Sequence, residues 1–121
     1  MAAHHFTDWD VWKRAHQVAL DVYAMTKEFP VDERFGLSLQ MRKAAVSVPA
    51  NIAEGFARRK PLDKARLYNI GEGSASELDY FLILAPDLKY VSNADLLRRD
   101  VADVSRMMRR LVEATLRALR E

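Results

Sequence analysis

Residues 47–59 read SVPANIAEGFARR. Val48, Ile52 and Phe56 keep the three- and four-residue spacing of a helix that faces a core. The same stretch contains Pro49 and Gly55, which cost a helix interior about 3 and about 1 kcal/mol. Two readings are open. Either the chain breaks at Val48-Pro49 with Ser47 as a cap, or one helix runs through. In the second case Ser47 and Asn51 satisfy the backbone freed by the proline, and Gly55 lets another helix come close. Gly71 and Gly73, beside Ser74 and Ala75, are the matching small residues further along, so the continuous helix is expected to pack closely on that later segment.

Working outward, Leu37, Met41, Ala44 and Ala45 extend the same face backward, which predicts a helix from about Leu37 to Arg58. Before it, Trp12, Ala15, Ala19, Val22, Tyr23 and Thr26 mark an amphipathic helix stopped at Phe29-Pro30. Thr7 is the expected N-cap, with Asp10 in the first turn and Phe6 and Val11 as a hydrophobic staple. After it, Pro61 suits the first position of a third helix reaching towards Tyr90. Its core face is expected to be Leu67, Ile70, Gly71, Ser74, Leu78, Phe81, Ala85 and Leu88. Ser92-Asn93-Ala94-Asp95 signals a fourth start, and Leu97, Val101, Val104, Met108, Leu111, Thr115 and Leu119 share one side of that helix, arginines the other. No stretch alternates as a strand does. The expected fold class is all-α, an antiparallel up-and-down four-helix bundle, with residues 1–121 a single domain and 1–6 a flexible start.

Tyr80, Ile83 and Leu84 project from the far side of the third helix. A helix that is apolar all round needs a partner on every side, so these three are the expected interface of a homo-oligomer. Charge points the same way. Residues 41–66 carry seven basic and two acidic side chains, whereas 67–97 carry one and five. Such segments present surfaces that meet across a subunit contact, or a basic patch that meets a polyanion.

The stretches GLSLQMRKAAVSVPANIAEGFARR and YNIGEGSASELDYFLILAPDLKY, with VWKRAHQVALDVYAMTKEFP before them, carry a resemblance. The chain resembles the four-helix bundle family named after the protein encoded in 23S rRNA intervening sequences. Ser47, Pro49, Asn51, Glu54, Gly55, Gly73, Ser74 and Glu77 form its most specific part. Gly71, Pro86 and Lys89 depart from it, Lys89 standing where the family usually has glycine before Tyr90. The resemblance implies a ring-like homopentamer. It extends to accessory proteins of diversity-generating retroelements, which bind nucleic acid and a reverse transcriptase.

The chemistry of the residues narrows the function classes. With no cysteine there is neither a thiol nucleophile nor a disulfide, and no glycine-rich phosphate loop follows a strand. Paired Glu-x-x-His motifs of two-metal bundles are missing, and His4, His5 and His16 read as terminal or surface residues, so no metal or cofactor is expected. No membrane-spanning run and no secretory signal are recognised, which suits a cytoplasmic protein. Glu54 and Glu77 are the one carboxylate pair that could act as acid and base, if buried together; the plainer alternative pairs each with Arg42, Arg58 or backbone. Arg58, Arg59, Lys60, Lys64 and Arg66 cluster at the turn between the second and third helices with only Asp63 nearby. They are the expected contacts for RNA or DNA, gripped by the backbone without sequence preference. On helix four, Asp95–Arg99, Arg99–Asp103, Arg109–Glu113 and Glu113–Arg117 are expected as ordinary surface pairs. The leading reading is a non-enzymatic oligomeric scaffold or adaptor that holds nucleic acid; the alternatives are a protein–protein adaptor and, more remotely, an enzyme.

Overall fold

A computed structural model describes residues 4–120, Arg120 without its side chain. Four helices account for most of them: α1 (Asp10–Thr26), α2 (Leu37–Ala57), α3 (Pro61–Asp87) and α4 (Asp95–Arg117). Short 3-10 turns precede α1 (Phe6–Asp8), lead into α2 (Val31–Glu33) and end the chain (Ala118–Arg120). There is no strand among the described residues. Each helix packs on its chain neighbours, and α1 also packs on α4, which closes a four-helix bundle around one core.

The quoted stretch lies inside a single helix. Helix α2 continues through Pro49, which is buried, so the break at Val48-Pro49 does not occur. Asn51 Nδ2 donates to the Ser47 carbonyl at 2.8 Å and to Ser47 Oγ at 3.0 Å. Ser47 Oγ in turn meets Ser74 Oγ at 2.7 Å. The polar groups beside the proline therefore bridge α2 to α3, rather than simply repairing α2. Gly55 lies against the ring of Tyr68, and a Cβ there would stand within 3.0 Å of the ring carbons. Gly71 faces Met108 of α4, with Asn51 and the Val48 carbonyl beyond it. Gly73 is different: it is exposed, and nothing lies within 4 Å of where its Cβ would be. Its expected role in the α2–α3 packing is not what the fold uses.

Three other expectations change. Thr7 does not cap α1; His5 caps the first 3-10 turn, and the Asp8 carboxylate accepts from the backbone of His4 and His5. Of the residues expected as a flexible start, 4–6 belong to this capped turn and its approach, and 1–3 lie outside the described part. On α3 the buried face comprises Ala65, Leu67, Tyr68, Gly71, Ala75, Leu78, Leu82 and Ala85. It is rotated by roughly 65° from the expected one, which leaves Ile70 and Leu88 exposed. The reason is that α3 packs on α2 and α4 together, so its core arc takes in small residues and Tyr68. Finally, Leu119 is exposed on the last 3-10 turn.

Lys89 carries the only positive φ among the described non-glycine residues, 65°. Lys89 N–H donates to the Pro86 carbonyl at 2.8 Å and Tyr90 N–H to the Ala85 carbonyl at 3.0 Å. This is a Schellman closure of α3, with lysine in the left-handed position that favours glycine. Tyr90 then reaches across, its hydroxyl donating to Glu33 Oε2 at 2.6 Å. Glu33 Oε1 accepts from Leu37 N–H at 3.1 Å and so caps α2. One carboxylate thus ties the α1–α2 loop to the α3–α4 loop.

Candidate functional site

The turn between α2 and α3 is only Arg58, Arg59 and Lys60, because Arg58 leaves the helix in an extended conformation and Pro61 starts the next. So short a turn places its basic side chains at one end of the bundle. Arg58, Arg59, Lys60 and Arg66 are exposed there. Arg58 Nη2 lies 3.7 Å from Glu54 Oε1, a loose surface pair with both side chains about half exposed. Arg59, Lys60 and Arg66 form no ion pair or side-chain hydrogen bond among the described residues.

Lys64 has another task. Its Nζ donates to the carbonyls of Gly55 at 3.1 Å and Phe56 at 3.0 Å and lies over the Phe56 ring. It supplies a donor to the Phe56 carbonyl and a second one to the Gly55 carbonyl, which already accepts from Arg58 N–H at 3.2 Å. Partial burial lowers its pKa from the usual lysine value. Of the five expected contacts, four face solvent together and one is committed to closing a helix. Beneath them Phe6, Trp9, Phe56 and Tyr68 form an edge-on aromatic cluster. That cluster is not legible from residue spacing, because its members come from three separate segments.

The arginines of α4 pair differently from expectation. None of the four intrahelical pairs forms. Instead Arg98 bonds Asp79 of α3 at 2.9 Å, Arg109 bonds Glu72 of α3 at 3.1 Å, and Arg14 of α1 reaches Asp103 at 3.6 Å. Arg106 also pairs with Asp103. The Asp79 carboxylate, through its hydrogen bond and charge, raises the Arg98 pKa further. Arg98 and Arg109 bind α4 to α3 and Arg106 is paired within α4, so less of the stripe is free than its length suggests. Arg120 lies outside the described side chains.

Glu54 and Glu77 are both exposed, Glu54 beside Arg58. They do not form the buried pair that acid–base chemistry between them requires. His16 stacks on Trp12, their ring centres 4.8 Å apart. Among the described residues no group of three or more His, Asp or Glu is placed to hold a metal ion. No helix among them is long and apolar enough to cross a membrane.

Of the three apolar residues expected at a contact, Tyr80 is 56% exposed and Ile83 39%. Leu84 is half-buried and packs against the core, so it serves its own protomer. A second apolar surface was not anticipated. Leu20 and Tyr23 of α1 face Val46 and Ala50 of α2 across a groove of about 360 Å³, floored by Ala19 and Pro49. Pattern reading assigned Tyr23 to the core and left the outer side of α2 unread; Leu39 and Val46, seven apart, were the available signal.

The model of one protein family, described as 23S rRNA-intervening sequence protein, matches residues 7–110. No curated protein matches the chain.

Proposed function

The chain belongs to the 23S rRNA-intervening sequence protein family, and on that premise we propose that it is a non-enzymatic scaffold whose copies assemble and hold nucleic acid by its backbone. The protomer is an antiparallel up-and-down bundle. Supporting this, the start of α1 meets the end of α2 at Trp9–Phe56, and the end of α1 meets the start of α2 at Thr26–Arg42. Helices α3 and α4 pair in the same reversed order at Glu72–Arg109 and Asp79–Arg98. The copies close into a ring-like homo-oligomer, which repeats each protomer's basic turn and multiplies a weak grip by avidity.

The observation that carries the binding reading is the exposed set Arg58, Arg59, Lys60 and Arg66, with one loose acidic partner among them. Neutralising about four phosphates per protomer gives a duplex-binding slope near −3.6 in log–log salt, or about a 100-fold loss between 50 and 200 mM. Fluorescence anisotropy with labelled RNA and DNA of scrambled sequence measures this. Changing the four residues to glutamine, with Lys64 kept, removes the salt-dependent part while the fold remains. Salt-insensitive binding, or affinity unchanged in the glutamine variant, refutes the reading. A protein–protein adaptor is the second reading, favoured by the exposed groove between α1 and α2.

A further inference from the structure

From the two apolar surfaces the protomer leaves uncovered, we infer that they fit each other: the Tyr80–Ile83 ridge on α3 of one copy seats in the α1–α2 groove of the next. This rests on the self-association proposed above and specifies the contact. The groove is lined by Trp12, Leu20, Tyr23, Val46, Ala50 and Ala53 and presents almost no polar surface. Helices α1 and α2 already pack on each other beneath it, through the buried Ala19 and Pro49, so the groove is the outer surface of that pair.

Charge identifies the occupant. Near Arg42 the rim of the groove is basic; at its other end the exposed Glu54, next to Ala53, is paired with Arg58. The Arg42 guanidinium lies over the Tyr23 ring at 4.6 Å, and Lys43 stands one turn before Val46. Lys27 follows Tyr23 by one turn on α1. The ridge is flanked by acids: Glu77 one turn before Tyr80, and Asp87 one turn after Ile83, both exposed. An apolar groove whose rim is basic near Arg42 fits an apolar ridge with acidic flanks. Gly73, two turns before Tyr80 on the same outward side of α3, bares its backbone with no neighbour in its own chain. A second copy gives that glycine the close contact its protomer does not.

Ridge and groove are different surfaces on different sides of one bundle. Each copy therefore offers one of each, and the contact is head-to-tail rather than self-complementary. Head-to-tail contacts with a closing rotation generate rings.

The test uses two full-length variants, each changed only at exposed positions: Tyr80→Arg/Ile83→Arg, without the ridge, and Leu20→Arg/Val46→Arg, without the groove. Circular dichroism checks that each still folds; Tyr80→Ser/Ile83→Ser replaces the ridge variant, and Leu20→Ser/Val46→Ser the groove variant, if the arginine form does not. Analytical ultracentrifugation should find the wild type as an oligomer and each variant at the mass of one chain. An equimolar mixture should sediment at twice that mass and no higher, because one intact ridge meets one intact groove and growth stops. Variants that assemble like the wild type overturn the assignment of surfaces and leave self-association standing. Variants that stay single when mixed overturn the head-to-tail pairing. A wild type that is itself a single chain at high concentration overturns both this inference and the assembly reading beneath it.

Discussion

Replacing Gly55 with alanine adds one methyl group where α2 and α3 meet with no spare room. The new Cβ would stand within 3.0 Å of the carbons on one edge of the Tyr68 ring. Carbon atoms rest at about 3.5–4.0 Å, so the ring or a helix has to move by more than half an ångström. Tyr68 is 1% exposed and faces Trp9 edge-on with ring centres 6.3 Å apart, which closes the easy routes of escape. Overpacking of a rigid neighbour costs up to about 3 kcal/mol, and alanine's better helix propensity returns about 1 kcal/mol. The net loss is about 2 kcal/mol, a fall in melting temperature of about 8 °C for a chain of this length. Thermal unfolding by far-ultraviolet circular dichroism, at one fixed chain concentration, measures it. Gly71→Ala is the comparison, because its tight neighbour is only the mobile Met108 Cε at 2.8 Å, with Asn51 Cβ and the Val48 carbonyl at ordinary contact. That variant should melt within about 2 °C of wild type, or slightly above it. A double-mutant cycle with Tyr68→Leu should return most of the Gly55→Ala loss as coupling. Should Gly55→Ala melt at or above wild type, or show no coupling to Tyr68, the close-approach account of the motif is wrong.

Lys89→Gly relieves a left-handed φ of 65° and should raise stability by about 1 kcal/mol, visible as a higher urea midpoint; Lys89→Ala, which keeps the strain, should leave it unmoved. Lys64→Met removes the ammonium that closes α2 and should cost about 1 kcal/mol while changing nucleic-acid affinity far less than the four-residue glutamine variant. The hydrogen bond from Tyr90, then that from the Leu37 backbone, hold the Glu33 carboxyl below its usual 4.5. Stability from this group is therefore complete above about pH 4.5 and lost as pH falls through the lowered value. Glu33→Gln should be the less stable protein at neutral pH, and its difference from wild type should shrink in acid, as followed by urea midpoints across a pH series.

Helix number, type and most boundaries were legible because apolar spacing, Pro61 and the polar run Ser92–Asp95 each speak within a few residues, although Ala94 stands at the N-cap of α4 and no side chain caps from there. Val101, Val104 and Met108 are buried as their spacing implies, since α4 presents one face to the core and the other to water. Helix α3 was harder. It packs on two neighbours, so its buried arc is wide, and a single-face reading slid off Tyr68 and Leu82 onto Ile70 and Leu88. The basic turn was legible as a cluster, but not the use of Lys64, because a capping ammonium and a free one look alike in sequence. Cross-helix pairs such as Arg98–Asp79 depend on which helices are adjacent, which residue spacing along one helix does not encode.

The motif that carries the family resemblance divides in two when each residue is traced to its contacts. Ser47, Asn51 and Ser74 share one hydrogen-bonded bridge, and Gly55 admits Tyr68, so these residues are used up in joining α2 to α3. Their role is to make the protomer, and a search for chemistry among them finds only packing. Gly73 and Glu77 belong to the same motif, yet they are exposed and contribute no such contact. A glycine inside a long helix costs about 1 kcal/mol, and Gly73 recovers none of it within its own chain. It lies on the side of α3 that also bears Tyr80 and Ile83, the side assigned above to the proposed contact. The same reasoning separates Arg59, Lys60 and Arg66 from Arg98 and Arg109: the latter hold helices together, and only the former have charge to offer a partner. Function in this fold is therefore to be sought in the residues that the bundle does not need.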